Sequence, residues 1–242
     1  MPRDILNMLG SKTTTTSSKV TKPVHKRHDV AKPLNLGGVQ SSFNKRWTIG
    51  RGVPIICNQP DPKQCLAAVA DATSKQIKIA SFDLDYTLVK TLTGARFPCD
   101  KEDWRWWNSG VAKRLNEIAK EYLVVIFTNQ GAVVARKDAK SYTKFTQRVN
   151  GVVAATKLTE QVVVYAAPKN SDKSTRKPEI GMWTALEQFV AENGYSIDKS
   201  RSYFVGDAAG RQGDHSDSDK VFAENVGIAF RTPEEEFTAQ DP

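Results

Sequence analysis

Phe82-Asp-Leu-Asp-Tyr-Thr-Leu88 closes an apolar run, Ile77-Lys-Ile-Ala-Ser-Phe82, and sets two carboxylates two residues apart at what reads as the end of a buried strand. Crowded like charges are costly unless a cation sits between them. Mg²⁺ suits the place, since it takes one or two carboxylates together with waters and substrate phosphate oxygens. The chain repeats this arrangement on the C-terminal side. Tyr122-Leu-Val-Val-Ile-Phe127 is followed by Thr128-Asn-Gln-Gly131, Val162-Val-Val-Tyr165 by Ala166-Ala-Pro168, and Tyr203-Phe-Val205 by Gly206-Asp207, while Gly227-Ile-Ala-Phe230 is a fifth, shorter run. On the N-terminal side, Val53-Pro-Ile-Ile-Cys57 is the first candidate strand. Between the runs apolar residues fall at helical spacing: Val111, Leu115, Ile118 and Ala119; Tyr142, Phe145, Val149 and Val152; Met182, Trp183, Leu186, Phe189 and Val190. Strands alternating with helices predict an α/β fold, a mostly parallel sheet flanked by helices in a Rossmann-like three-layer arrangement.

In such sheets ligands bind beyond the carboxyl ends of the strands, so Asp83, Thr128 and Asp207 converge although they lie far apart in sequence. Singly, each also reads as a helix cap or a turn residue. Together they describe a site for phosphoryl transfer. Asp83 is placed to attack phosphorus and form an aspartyl-phosphate, and Asp85 to protonate the leaving oxygen and then deprotonate water. Charge on the transferring oxygens calls for hydrogen-bonding and cationic groups. Thr128 and Lys177, the latter in Thr175-Arg-Lys-Pro178, supply them.

Asp83-Leu-Asp-Tyr-Thr87, Phe127-Thr128, Lys177 and Gly206-Asp207 resemble, in order, the four motifs of the haloacid dehalogenase superfamily. The resemblance implies that fold, Asp83 as nucleophile, Asp85 as acid/base, Thr128 and Lys177 on the phosphoryl group, and Mg²⁺ held by Asp83, the Asp85 backbone carbonyl and Asp207. Tyr86 departs from it, standing where many members carry Gly. Over residues 75–237 the similarity narrows. Ile126-Phe-Thr-Asn-Gln130, Arg176-Lys-Pro-Glu-Ile-Gly-Met-Trp183, Phe204-Val-Gly-Asp-Ala-Ala-Gly-Arg211 and Arg231-Thr-Pro-Glu-Glu235 resemble the phosphatase domain of polynucleotide kinase 3′-phosphatase. That resemblance implies a hydrolase that removes 3′-phosphates from DNA ends during repair. The sequence has no G-x-x-x-x-G-K-[ST] loop for a kinase half, so the similarity is to stand-alone, fungal-type members. A superfamily phosphatase acting on a small phosphomonoester, or on phosphoserine in a protein, shares all four motifs and is the competing expectation. Only 40 residues separate Thr87 from Thr128 and 48 separate Thr128 from Lys177, which leaves no room for a large cap domain. An open site suits a DNA terminus better than a small metabolite.

Thr87, Asn129, Arg136, Arg176 and Arg211 lie in or beside the motifs and are expected substrate contacts, the arginines because a guanidinium grips phosphate in two places. Trp104 and Trp106, interleaved with Arg105 and near Lys101, read either as a stacking surface for DNA bases or as core. Asp219 supports the metal or caps the helix that begins there. The net charge of +8 is misleading as a guide to this region, because residues 1–46 carry nine Lys/Arg against Asp4 and Asp29, leaving the remainder only +1. Residues 1–46 read as a disordered basic arm, within which residues 11–35 have too few large apolar side chains to offset the entropy of ordering, and residues 47–242 as the phosphatase domain. Lys22-Pro-Val-His-Lys-Arg-His28 within the arm reads as an import signal and the location as nuclear. No apolar run approaches the roughly 20 residues that cross a bilayer. Three cysteines without C-x-x-C spacing fit a reducing compartment better than a disulfide framework or a zinc site. A monomer that needs no nucleotide cofactor is expected.

Overall fold

A computed structural model describes residues 42–238 of the chain. The basic arm, with its import signal, lies outside those residues except for its last five positions, and these need a correction. Ser42–Lys45 forms a 3-10 turn whose Phe43 is fully buried and packs edge-to-face on Trp47 at 5.9 Å. Arg46 pairs with Glu160 at 2.6 Å, and Asn58 donates to the Phe43 carbonyl. Ordered packing thus begins before Trp47, because Phe43 and Trp47 bury apolar area together.

Two short antiparallel strands, β1 (Trp47–Ile49) and β2 (Ile56–Asn58), lead through α1 (Pro62–Cys65) to β3 (Gln76–Ile77) and β4 (Ile79–Phe82). A hairpin of β5 (Val89–Lys90) and β6 (Arg105–Trp106) precedes α2 (Val111–Ile118). Then come β7 (Leu123–Gln130), α3 (Lys140–Thr156), β8 (Val162–Pro168) and α4 (Gly181–Glu192). The chain closes with β9 (Ser196–Ile197), β10 (Tyr203–Val205), α5 (Ser218–Val226), β11 (Ala229–Arg231) and α6 (Pro233–Phe237). Seven strands form the central sheet in the order β1-β2-β8-β7-β4-β10-β11. The five from β8 to β11 are parallel, and β2 and β1 continue the sheet antiparallel beyond β8. Chain order reverses between β4 and β10, which is where open α/β sheets bind their ligands.

Alternation along β7 explains the three layers. Val124 and Ile126 join one buried cluster with Val111 and Leu115 of α2 and Phe145 and Val149 of α3. Leu123, Val125 and Phe127 point the other way, into a cluster with Met182 and Trp183 of α4 and Phe222 of α5. The expected helices over all three periodic stretches are present, and no separate cap domain is inserted among the described residues.

Strand boundaries differ from the sequence reading in instructive ways. The run from Ile77 to Phe82 divides at Lys78, because β3 leaves the main sheet to pair with β9. β7 does not stop at Phe127 but continues through the polar Thr128, Asn129 and Gln130, which pair with Ala166, Ala167 and Pro168 of β8. Val53 is an exposed turn residue, so the first candidate strand shifts to Ile56–Asn58.

Phe127 sits where this packing is densest, with its ring 5.5–6.4 Å from those of Phe222, Tyr165, Trp183 and Phe204. Phe127→Ala should cost about 4 kcal/mol, seen as a lower urea midpoint with an unchanged denaturant slope.

Candidate active site

At the carboxyl end of β4, Asp83 is almost fully buried, and its Oδ1 accepts from Lys177 Nζ at 2.6 Å. The same ammonium pairs with Asp219 at 2.7 Å and lies 5.0 Å over the Phe204 ring. Asp207, two residues past β10, completes a group in which Asp83, Asp207 and Asp219 each bring a carboxylate oxygen within 4.8 Å of the others. Burial, reinforced by the other two carboxylates, pushes Asp83 well above the usual carboxylate range. Asp207 is pushed up to about 6 by burial and by Asp219. Burial works against the Lys177 charge, but Asp219 and Asp83 hold its pKa above the ordinary lysine value. Three carboxylates against one lysine leave an excess of negative charge in a buried place, which is the environment a divalent metal ion neutralises.

The walls of this group are built to hold it. Thr87 is fully buried, donates to Asp207 Oδ1 at 3.2 Å and accepts from the Asp207 amide at 3.1 Å, so it orients Asp207; it was expected on the substrate. Asn129 is likewise a holding group. Its side-chain amide donates to the Lys177 carbonyl and accepts from the Lys177 amide, both at 3.0 Å. Asp219 lies within the first turn of α5 but does not cap it, since its Oδ2 accepts from the Ala208 amide at 3.1 Å. Gly206 is required by the same contact: a Cβ there would stand 2.3 Å from Asp219 Oδ2. His215 places Nδ1 3.8 Å from Asp207.

Asp85 is not part of the buried trio. Its carboxylate faces Arg148, whose Nη1 donates to Oδ1 at 2.6 Å and Nη2 to Oδ2 at 3.1 Å. Gln130 Nε2 donates to the same Oδ2 at 2.8 Å and to Thr128 Oγ1 at 2.9 Å, which links the two residues that the sequence placed in the chemistry. Neither Arg148 nor Gln130 was singled out from sequence. Arg148 carried a signal, however: it falls on the apolar stripe of α3, three residues after Phe145 and four before Val152, where a cation needs a buried partner. Tyr86, between Asp85 and Thr87, has φ +63°, the left-handed region that a side chain enters at a cost of about 1–2 kcal/mol, which is why glycine is at home at this position.

The expected peripheral contacts divide. Arg176 is half-buried and donates to the carbonyls of Ala167 and Pro168 at the end of β8. Arg136 is exposed beside Asp138. Arg211 is held by Asp214 and Glu234 and reaches the Asp207 carbonyl. Trp104 and Trp106 pack on the core and meet edge-to-face at 5.4 Å, so the core alternative describes them better than a stacking surface. Among the described residues, exposed aromatic side chains include Tyr86, 39% exposed, whose hydroxyl donates to the Arg96 carbonyl, and Phe97, 70% exposed, with the Arg96 guanidinium 5.4 Å over its ring.

A buried carboxylate at the end of β4, with Thr128 and Asp207 at the ends of the neighbouring strands and Lys177 in the segment that leads into α4, fits a phosphatase of the haloacid-dehalogenase-like class. A solved HAD-like phosphatase from Mesorhizobium loti shares the fold, with a TM-score of 0.50 and 17% identity over 72% of this chain and 77% of that one. The family described as polynucleotide kinase 3 phosphatase matches residues 78–237, and the chain belongs to that family. Among curated relatives, a bifunctional polynucleotide phosphatase/kinase of Schizosaccharomyces pombe is 42% identical over 67% of this chain but only 38% of its own length. A polynucleotide 3′-phosphatase of Saccharomyces cerevisiae is 30% identical over 66% of this chain and 87% of its own length.

The acid cluster gives metal binding a direction in pH. Without metal, the contribution of Asp207 to stability is full below its unfolded pKa of 3.8 and is lost as pH rises through about 6. The gain in Tm on adding Mg²⁺ to EDTA-treated protein should therefore be small at pH 4.5 and grow through pH 6 to a plateau, measured by calorimetry with and without the ion.

Proposed function

We propose that this chain removes the 3′-phosphate from DNA ends, acting as a Mg²⁺-dependent monomer. The observation that carries the choice of substrate is the distribution of charge around the site. Past the end of β7 stand Arg136, Lys137, Lys140 and Lys144, and past the end of β8 stand Lys169 and Lys173, against Asp138 and Asp172. The two segments are joined by the Lys169 amide on the Val133 carbonyl at 2.7 Å. On the far side, past β10 and β11, Asp214, Asp217, Glu234 and Glu235 reverse the sign. A domain of near-zero net charge thus carries a basic rim on one side of its phosphoryl pocket, which fits a polyanion that continues away from the reacting phosphate. The names of the yeast relatives support the same reading. A nuclear location, read from the basic cluster at residues 22–28, belongs to the same proposal.

In this reaction Asp83 attacks the 3′-phosphorus, and the bond to the 3′-oxygen breaks as that oxygen takes a proton from Asp85. Thr128 and Lys177 hold oxygens of the transferring group. Water then attacks the aspartyl-phosphate, giving its proton to Asp85 and releasing phosphate and free Asp83. The residues that would hold Mg²⁺ are Asp83, Asp207 and the Asp85 backbone carbonyl, with Asp219 beside them. Bound there, the ion would neutralise the nucleophile and the phosphoryl oxygens.

Matched oligonucleotides bearing phosphate at the 3′ or the 5′ end should differ sharply, with Mg²⁺-dependent release from the 3′ end and a loss on the order of 10⁴-fold or more in Asp83→Asn. Equal release from both ends, no faster than from a small phosphomonoester or a phosphoserine peptide, would return the substrate to those classes. Combining Lys137→Glu, Lys169→Glu and Lys173→Glu should flatten the slope of log kcat/KM against log salt by about 2 for a single-stranded substrate, with p-nitrophenyl phosphate turned over as before.

A further inference from the structure

The hydrogen-bond inventory of Asp85 specifies more than its nearness to the site. A carboxylate offers about four lone-pair positions, two on each oxygen. Oδ2 accepts twice, from Arg148 Nη2 and from Gln130 Nε2, while Oδ1 accepts once, from Arg148 Nη1. Among the described residues, one position is therefore left, and it is on Oδ1. The Arg148 side chain is only 3% exposed and the Asp85 side chain 33%, so the fork reaches outward from the α3 core to hold a group at the surface of the site. Stability alone does not account for an arginine here, because an apolar side chain would fill the same space on the stripe of Phe145, Val149 and Val152 without desolvating a charge. The planar fork does what neither an apolar residue nor a lysine does: it fixes the plane of a carboxylate as well as its position. Gln130, which donates to Oδ2 and to Thr128 Oγ1, ties that plane to the residue that holds a phosphoryl oxygen in the proposed reaction.

We propose that Arg148 is a positioning residue that clamps Asp85, so that Oδ1 is the oxygen that carries the catalytic proton. The proposal rests on the two-step reaction described above. In the first step the proton on Oδ1 passes to the leaving oxygen as its bond to phosphorus breaks. In the second, a water oxygen bonds to phosphorus, the bond from phosphorus to Asp83 breaks, and the proton of that water returns to Oδ1.

Arg148→Met and Arg148→Lys, each alone and combined with Asp85→Asn, test it with a 3′-phosphorylated oligonucleotide and with p-nitrophenyl phosphate, whose leaving group needs no proton. Arg148→Met should lower kcat on the oligonucleotide by about 100-fold with KM nearly unchanged, and Arg148→Lys should lose about tenfold. In Asp85→Asn, the added Arg148→Met should change the rate within about twofold, because the residue through which it acts is already disabled. With p-nitrophenyl phosphate, Arg148→Met should release one equivalent of nitrophenolate per enzyme in a burst and then turn over slowly, since only the second step still needs Asp85. Full additivity of the two substitutions, or equal losses on both substrates without a burst, would overturn the assignment and leave Arg148 a packing residue. If the wild-type enzyme does not prefer the oligonucleotide, the choice of DNA fails, while the burst and the double substitution still decide the role of Arg148.

Discussion

Three carboxylates meeting around one ammonium is the constraint on which the rest of this protein depends. At about 4 Å and an effective dielectric of about 20, a pair of like charges costs roughly 4 kcal/mol, so Asp83, Asp207 and Asp219 would not stay together in a chain free to relax. They stay because each is fixed from elsewhere: Asp83 by β4 between β7 and β10, Asp207 by buried Thr87, and Asp219 by the Ala208 amide. Lys177 is fixed in turn by the paired contacts of Asn129. The cost is met by the apolar layers on both faces of the sheet, and what it produces is a place where charge is wanted before any phosphate arrives.

Around that place the chain separates its duties. The three acids and Lys177 are buried or half-buried and held by backbone groups and buried side chains, whereas Asp85, the acid/base of the proposed reaction, stands partly exposed on a different set of partners, Arg148 and Gln130. The separation has a physical reason. A group that exchanges protons with a leaving oxygen and with water must face the substrate, and a group that stabilises a metal ion or an oxyanion gains from exclusion of water.

Much of this was legible in the sequence, for reasons that can be stated. An acidic or hydroxyl side chain straight after an apolar run survives as a signal because strand direction carries it to one end of the sheet, and this held for Asp83, Thr128 and Asp207. Lys177 was expected on the phosphoryl group from its setting in Thr175-Arg-Lys-Pro178 and again from the resemblance, and its ammonium lies on Asp83. What sequence could not show was which neighbour each polar side chain would serve. Thr87 and Asn129 sit inside the motifs, yet their partners are 120 and 48 residues away and turned them from expected substrate contacts into supports. Trp104 and Trp106 were ambiguous for the opposite reason, since aromatics beside cations look alike in a core and on a binding face until burial is known. The edges of strands were the least readable feature, because pairing with β8 or β9 sets them, not local composition.

The order of the central sheet has one more consequence. Its two outermost strands, β1 and β11, are each only three residues long, while the long strands β7 and β8 lie inside. The antiparallel pair β1–β2 covers what would otherwise be the open flank of the seven-residue, wholly buried β8. A flank that offers a visiting strand so little backbone to pair with is a poor template for aggregation. The opening residues of the described chain thus serve as an edge guard, keeping a sheet built from long apolar strands from joining with copies of itself.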